Sequence, residues 1–224
     1  MRTINVFFDT EFTGLKKDCD LISIGLCTRH DVNRNFNQFY CELEVNKPVN
    51  DWIQENVIRN MLFKEEDSFY VASAKNVHVM NKPGSIEALR NPLRNWFEII
   101  TGKTVEDNDN KIQLYADCGH YDMVLFIDIF GSAFDIPSYV SPVIHDFNQC
   151  LANKKKIKEW EAFDLSRHEL LEKARQMGLP DYTEKLNDLI LDAKATIEGK
   201  SLIHNAMYDA LVLATISNKR LFED

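Results

Sequence analysis

The stretch Val6-Phe7-Phe8-Asp9-Thr10-Glu11-Phe12-Thr13-Gly14 decides how this chain is read. It opens as an apolar strand and closes at a turn glycine. Two carboxylates, Asp9 and Glu11, stand at i and i+2. Side chains alternate along a strand, so both acids lie on one face with Cα atoms roughly 6–7 Å apart. Two acids on one face of an apolar strand repel each other and resist burial. A hard divalent cation such as Mg²⁺ or Mn²⁺ relieves both problems, because it favours carboxylate oxygens. The plainer alternative is a strand with two solvent-facing acids that bind nothing, and residues elsewhere decide between the two.

Working outward, Ile4 to Phe8 reads as a first strand and Asp20 to Cys27 as a second. Phe36 to Val45 reads as a third, with Phe39, Cys41, Leu43 and Val45 on its apolar face and Gln38, Tyr40, Glu42 and Glu44 on its polar face. Three strands in succession suggest an antiparallel meander. Asn50 is placed to cap a helix through about Leu62. Residues 63–83 carry no clear period. After Ser85, the residues Ile86, Leu89, Leu93, Phe97 and Ile100 recur at helical spacing, with Pro92 inside the run and Gly102 as its stop. Glu106-Asp107-Asn108-Asp109-Asn110 is a polar loop that lacks the spacing of a calcium loop. Ile112 to Ala116 is a short strand, and His120 to Phe130 is a helix ended by Gly131. Further helices are expected from Asp146 to Asn153, from Arg167 to Met177, from Asp188 to Glu198, and after an Asn205 cap. The expected fold is an α/β layered domain over residues 1–224.

Composition narrows the classes. With 224 residues, 45% hydrophobic and 27% charged, the chain can bury a real core. Its net charge of −9 argues against a non-specific nucleic-acid coat protein, which is usually basic. A polyanion would have to be met through local positive patches and bound metal. Cys19, Cys27, Cys41, Cys118 and Cys150 are odd in number and form no CxxC pair, which argues against zinc and against a disulfide framework. Reduced thiols and a first strand with no signal-like leader point to the cytoplasm. No apolar run has the length of a membrane span.

Two later segments have the chemistry to complete a metal site. In Tyr115-Ala116-Asp117-Cys118-Gly119-His120-Tyr121-Asp122, Asp122 begins a helix after a strand and a glycine turn, with Asp117 as its rival. In His204-Asn205-Ala206-Met207-Tyr208-Asp209, Asp209 lies on an otherwise apolar helix. A salt bridge is the plainer reading of either aspartate alone. Positions five apart on a continuous helix lie about 140° apart, so His204 and Asp209 converge only if His204 precedes the helix and points back. A neutral imidazole there can take a proton from water, since its ordinary pKa is near 6.5.

In this order, Asp9-x-Glu11, Tyr121-Asp122 and His204-x-x-x-x-Asp209, the three motifs resemble the DEDDh group of 3′-to-5′ exonucleases, which have an RNase H-like fold. The likeness is closest to a compact bacterial 3′-to-5′ exoribonuclease type, carried by Asp9–Phe12, Ile22–Gly25 and Gly119–Asp122. The segment from about Lys154 to Lys200 is longer than in that type and reads as a helical insertion. The resemblance implies a central mixed sheet, an antiparallel meander of three strands plus parallel strands, flanked by helices. It implies that Asp9, Glu11, Asp122 and Asp209 hold two Mg²⁺ or Mn²⁺ ions and that His204 is the general base. Thr10 and Phe12 would touch the terminal nucleotide, Phe12 by stacking. Single-stranded RNA or DNA 3′ ends would be the substrate, with RNA expected, nucleoside 5′-monophosphates the products, and a homodimer compatible with the family. Alternatives on the same fold are an RNase H-like endonuclease, an exodeoxyribonuclease, or a binding module without catalysis. Lys154-Lys155-Lys156-Ile157-Lys158 reads either as a phosphate contact or as a solvated helix end. Trp52, Trp96 and Trp160 are expected in the core or at an interface.

Overall fold

The computed structural model describes residues 3–16, 18–29, 36–64, 67–74, 76–102, 111–193, 195, 197 and 199–222. The polar loop expected at Glu106–Asn110 lies outside them, as does the Glu198 end of the helix expected from Asp188. Alternation along β1 (Thr3–Phe12) sets up two cores. Ile4, Val6 and Phe8 point into one, and Phe7 points into the other. β2 (Leu21–Thr28) and β3 (Gln38–Glu42) follow as the expected antiparallel meander, with Asp9 opposite Gly25 and Glu11 opposite Ser23. β6 (Lys111–Ala116) pairs parallel to β1 on its other side, and the two-residue β7 (His145–Asp146) pairs parallel to β6.

Residues 63–83 hold a hairpin with no clear signal in the sequence. β4 (Tyr70–Ala74) pairs antiparallel with β5 (Val77–Asn81), and β5 pairs parallel with β3. Among the described residues the sheet is thus seven-stranded and mixed, in the order β4-β5-β3-β2-β1-β6-β7.

Helices cover both faces. α2 (Arg90–Thr101) and α3 (Gly119–Phe130) pack on the Phe8 side, where the Phe8 and Phe126 rings lie 5.6 Å apart. The opposite face takes α4 (Phe147–Lys155), α5 (Glu159–Phe163), α6 (Arg167–Gln176), α7 (Leu186–Ala193) and α8 (Ala206–Ile216). Beyond Asp209 in its first turn, α8 is almost wholly apolar because the sheet lies on one side of it and α6 on the other.

Several expectations are corrected. The helix expected from Asn50 to Leu62 is shorter. α1 (Asp51–Asn56) is capped by the Asn50 side chain and gives way at Val57 to a 3₁₀ turn over Ile58–Asn60. Asn60 donates its amide to the carbonyls of Asn56 and Ile203, which holds that turn against the start of α8. The run from Ser85 is a 3₁₀ turn over Ile86–Leu89 followed by α2. Pro92 falls in the first turn of α2, where a missing N–H leaves no hydrogen bond unmade. The third strand ends at Glu42, not Val45, and of its assigned polar face only Glu44, beyond the strand, is exposed. Gln38, Tyr40 and Glu42 are all at most 1% exposed, since helices and the 62–63 turn cover that face too. Trp96 is in the core, whereas Trp52 and Trp160 are exposed.

Candidate active site

Gly25 sets how near α8 comes to the sheet. A Cβ built on it would lie 2.4 Å from the Cα and backbone nitrogen of Met207, so only glycine admits this approach. Because Gly25 is the register partner of Asp9, the contact brings the start of α8 down beside the first-strand acids. Asp209, in the first turn of α8, has a carboxylate oxygen within 4.8 Å of a Glu11 carboxylate oxygen. Asn205 caps α8 by accepting from the Tyr208 N–H at 3.2 Å.

The residue before that cap is His204. Its backbone is left-handed, with φ 60°, a conformation that non-glycine residues adopt at a cost and that clusters at functional sites. The turn aims the imidazole back over the site, and the His204 N–H donates to Asp209 Oδ2 at 3.0 Å. This is the arrangement that a spacing of five requires. The Trp52 ring of α1 meets the imidazole edge-on, with centroids 5.1 Å apart. Trp52 is the residue that sequence reasoning missed. Ile53 and Val57 turn inward on Ile22, which leaves Trp52 on the outer side of the helix.

Asp122 arrives from the other face. Cys118 has φ 55° and turns the chain sharply from β6 into α3. The Gly119 N–H donates to Asp146 Oδ2 at 3.1 Å, and the same carboxylate caps α4. Asp122 Oδ1 then accepts both from the Thr10 N–H, at 2.9 Å, and from the Thr10 hydroxyl, at 2.7 Å. Thr10 is buried and holds Asp122, while Phe12 packs its ring partly against the α2–α3 core. Both remain on the wall of the cleft.

Asp9, Glu11, Asp122, His204 and Asp209 all line one cleft of about 590 Å³. Among the described residues, no lysine or arginine forms an ion pair with any of the four acids. Asp117 lines the cleft too, but Arg167 neutralises it through a bidentate pair, Nε to Oδ2 at 2.8 Å and Nη2 to Oδ1 at 2.9 Å. The remaining Arg167 donors go to the Ala162 and Leu165 carbonyls and to Asn148 Oδ1. The rivals thus differ: Asp117 has its cation and Asp122 does not. Nothing in the sequence spacing marks Arg167, fifty residues away, as its partner.

Burial and mutual repulsion lift all four unpaired acids. Asp9 is raised well above its ordinary value by burial first, then by Asp122, Glu11 and Asp209. Glu11 is raised by burial, then by Asp209 and Asp122. Burial pushes Asp122 up to about 7 against the pull of the Thr10 hydrogen bonds, and pushes Asp209 up to about 7 against that of the His204 N–H. Burial also lowers His204 and so favours a neutral ring. The tightest group of ligating atoms is Glu11, His204 and Asp209, all within 4.8 Å of one another. Asp9 and Asp122 stand in the same cleft outside that group. Asp122 is buried and the other three acids are half-buried, and such cation-free carboxylates with a nearby imidazole are a donor set that suits a hard divalent cation.

All five cysteines are unpaired. Among the described residues, no helix is long and apolar enough to cross a membrane. No family model and no curated protein matches the chain. A functional reading therefore rests on the motifs and on this geometry.

Proposed function

We propose that the chain is a divalent-metal-dependent 3′-to-5′ exonuclease of the DEDDh type on an RNase H-like sheet. It hydrolyses single-stranded 3′ ends, RNA foremost, and releases nucleoside 5′-monophosphates. The observation that carries this reading is the meeting of four cation-free acids, from three distant segments, with one imidazole in a single cleft. Asp9, Glu11, Asp122 and Asp209 would hold Mg²⁺ or Mn²⁺, which when bound stabilises charge on the attacking and leaving oxygens of an in-line displacement.

The chain's own residues do the rest. A neutral ring nitrogen of His204 accepts the proton of the attacking water. The His204 N–H bond to Asp209 Oδ2 keeps that ring turned to the cleft. Thr10 fixes Asp122, and the apolar walls at Phe12 and Trp52 limit the water that reaches the reacting end.

The test uses 5′-labelled single-stranded RNA and DNA with Mn²⁺ or with EDTA. A ladder shortening from the 3′ end in Mn²⁺ alone supports the reading. Internal cuts would make the chain an endonuclease, and retention without cleavage would make it a binding module. A second reading of one residue also has an observation behind it. Because His204 shares the tightest cluster with Glu11 and Asp209, it can serve as a ligand instead of a base. For the base, His204→Ala loses turnover and keeps Mn²⁺ affinity in a calorimetric titration. For the ligand, Mn²⁺ affinity falls with it.

A further inference from the structure

The last turn of α4 and the segment from there to the cleft-lining Arg167 carry four lysines within five residues. Lys154, Lys155, Lys156 and Lys158 are all exposed, on a chain whose net charge is −9. Trp160 and Phe163 follow on α5, each 61% exposed. They stand at i and i+3, so they share one face of the helix, while Ala162 turns into the core. Lys158 Nζ lies 5.7 Å from the centre of the Trp160 ring. Lys154 and Lys155 lie 5.1 and 5.8 Å from that of Phe222. Three acids share the segment, Glu159, Glu161 and Asp164, and Glu161 is turned back to accept from the Lys158 N–H at 3.1 Å. The far end of α5 abuts the cleft, since the Ala162 and Leu165 carbonyls accept from Arg167 at 3.0 and 2.7 Å.

We infer that Lys154 to Phe163 forms a second nucleic-acid contact, a platform that holds single strand upstream of the 3′ end in the cleft. This rests on the reading of the cleft as a site for such an end. Ammonium groups beside exposed aromatic faces suit a single strand of any sequence: phosphates meet the lysines and bases stack on the rings. A duplex would offer no free base faces to Trp160 and Phe163. The substrate class is therefore narrowed to single strands long enough to leave the cleft and reach α5, with dinucleotides held by the cleft alone.

The test is fluorescence anisotropy with a 5′-labelled single-stranded RNA of about 16 nucleotides, the upper range for one such surface, in EDTA so that the strand is not consumed. The double variant Trp160→Ala, Phe163→Ala is expected to bind at least about 10-fold more weakly. The double variant Lys155→Ala, Lys156→Ala is expected to lower the slope of log affinity against log salt by about 1.4. Hydrolysis of a dinucleotide in Mn²⁺ is expected to be unchanged in both. Because all four side chains are exposed, both variants should melt with the parent, and the lysine variant stands as an independent measure.

Unchanged RNA affinity in both variants overturns the platform, as does failure of the parent chain to bind the strand. If the aromatic variant instead halves the particle mass in light scattering and keeps its RNA affinity, that face joins two copies and the platform is again overturned. Absence of any hydrolysis by the parent in Mn²⁺ refutes the nuclease reading alone, because the EDTA titration still reads the platform.

Discussion

Among the described residues, carboxyls are raised at two places, and the fold treats them in opposite ways. Glu42 on β3 is wholly buried, and three donors meet it: the Tyr40 hydroxyl, the Leu62 N–H and the Phe63 N–H. Burial still pushes it up to about 7. The cleft acids are raised too, Asp122 and Asp209 to about 7, but other acids surround them and they line an open cavity. A raised carboxyl alone therefore does not mark a functional site. What separates the two is whether the fold has already supplied the partners. Glu42 is complete as it stands, whereas among the described residues no lysine or arginine forms an ion pair with the cleft acids.

Breaking each site in turn tests that contrast. The largest effect is expected from Asp9→Ala. It should lower the rate of RNA hydrolysis by more than about 100-fold, a size typical of disturbing a metal site, while the melting temperature stays level or rises as repulsion is relieved. Near-parental hydrolysis would remove Asp9 from the site. Glu42→Ala should do the reverse to stability. It leaves three buried donors unpaired, each costing about 1–3 kcal/mol, so melting should fall by roughly 6–12 °C or more for a chain of this size. An unchanged melting temperature would mean that Glu42 is not held as described.

Metal and pH sharpen the comparison further. Saturation with Mn²⁺ at about 100 times its dissociation constant should add about 2.7 kcal/mol, and Asp9→Ala should lose that gain while Glu42→Gln keeps it. Without metal, the folded chain prefers protonated carboxyls at both places. It binds more protons than the unfolded chain between about pH 4 and about pH 7, so stability is present at the acid end and is lost as pH rises through that window. Mn²⁺ should abolish the cleft's share of the slope and leave that of Glu42, which a melting series in pH would read. The smallest effect is expected from Arg167→Met. Asp117 loses its cation beside Asp122, and both stability and turnover should fall modestly, by about 1–2 kcal/mol. A gain in turnover would show that Arg167 restrains the site.

The sequence carried the cleft acids more clearly than it carried Glu42. Asp9 and Glu11 declare themselves by strand alternation, and Asn205 declares the start of α8, because both signals are local. Asp122 is preferred to Asp117 on the family pattern of an acid that follows Tyr and begins the helix, whereas the physical difference between the two, the Arg167 pair on Asp117, lies fifty residues off. Glu42 falls on the polar side of the alternating strand, and period-two alternation cannot tell that a second layer covers that side. β4 and β5 were illegible because short strands are defined by partners, and β5 pairs with β3 across some forty residues of chain. Trp52 is expected in the core or at an interface, and the helix turns it toward His204.

The missing side chain at Gly25 has a wider meaning. The span between the imidazole and the first-strand carboxylates is gauged by bare backbone resting on bare backbone, with no compressible methyl between them. Such a seating leaves little slack. Alanine at this position would act as a shim, prising up the helix that carries Asp209 and the turn that carries His204 together. The geometry of the cleft is thus calibrated by a residue that does not line it.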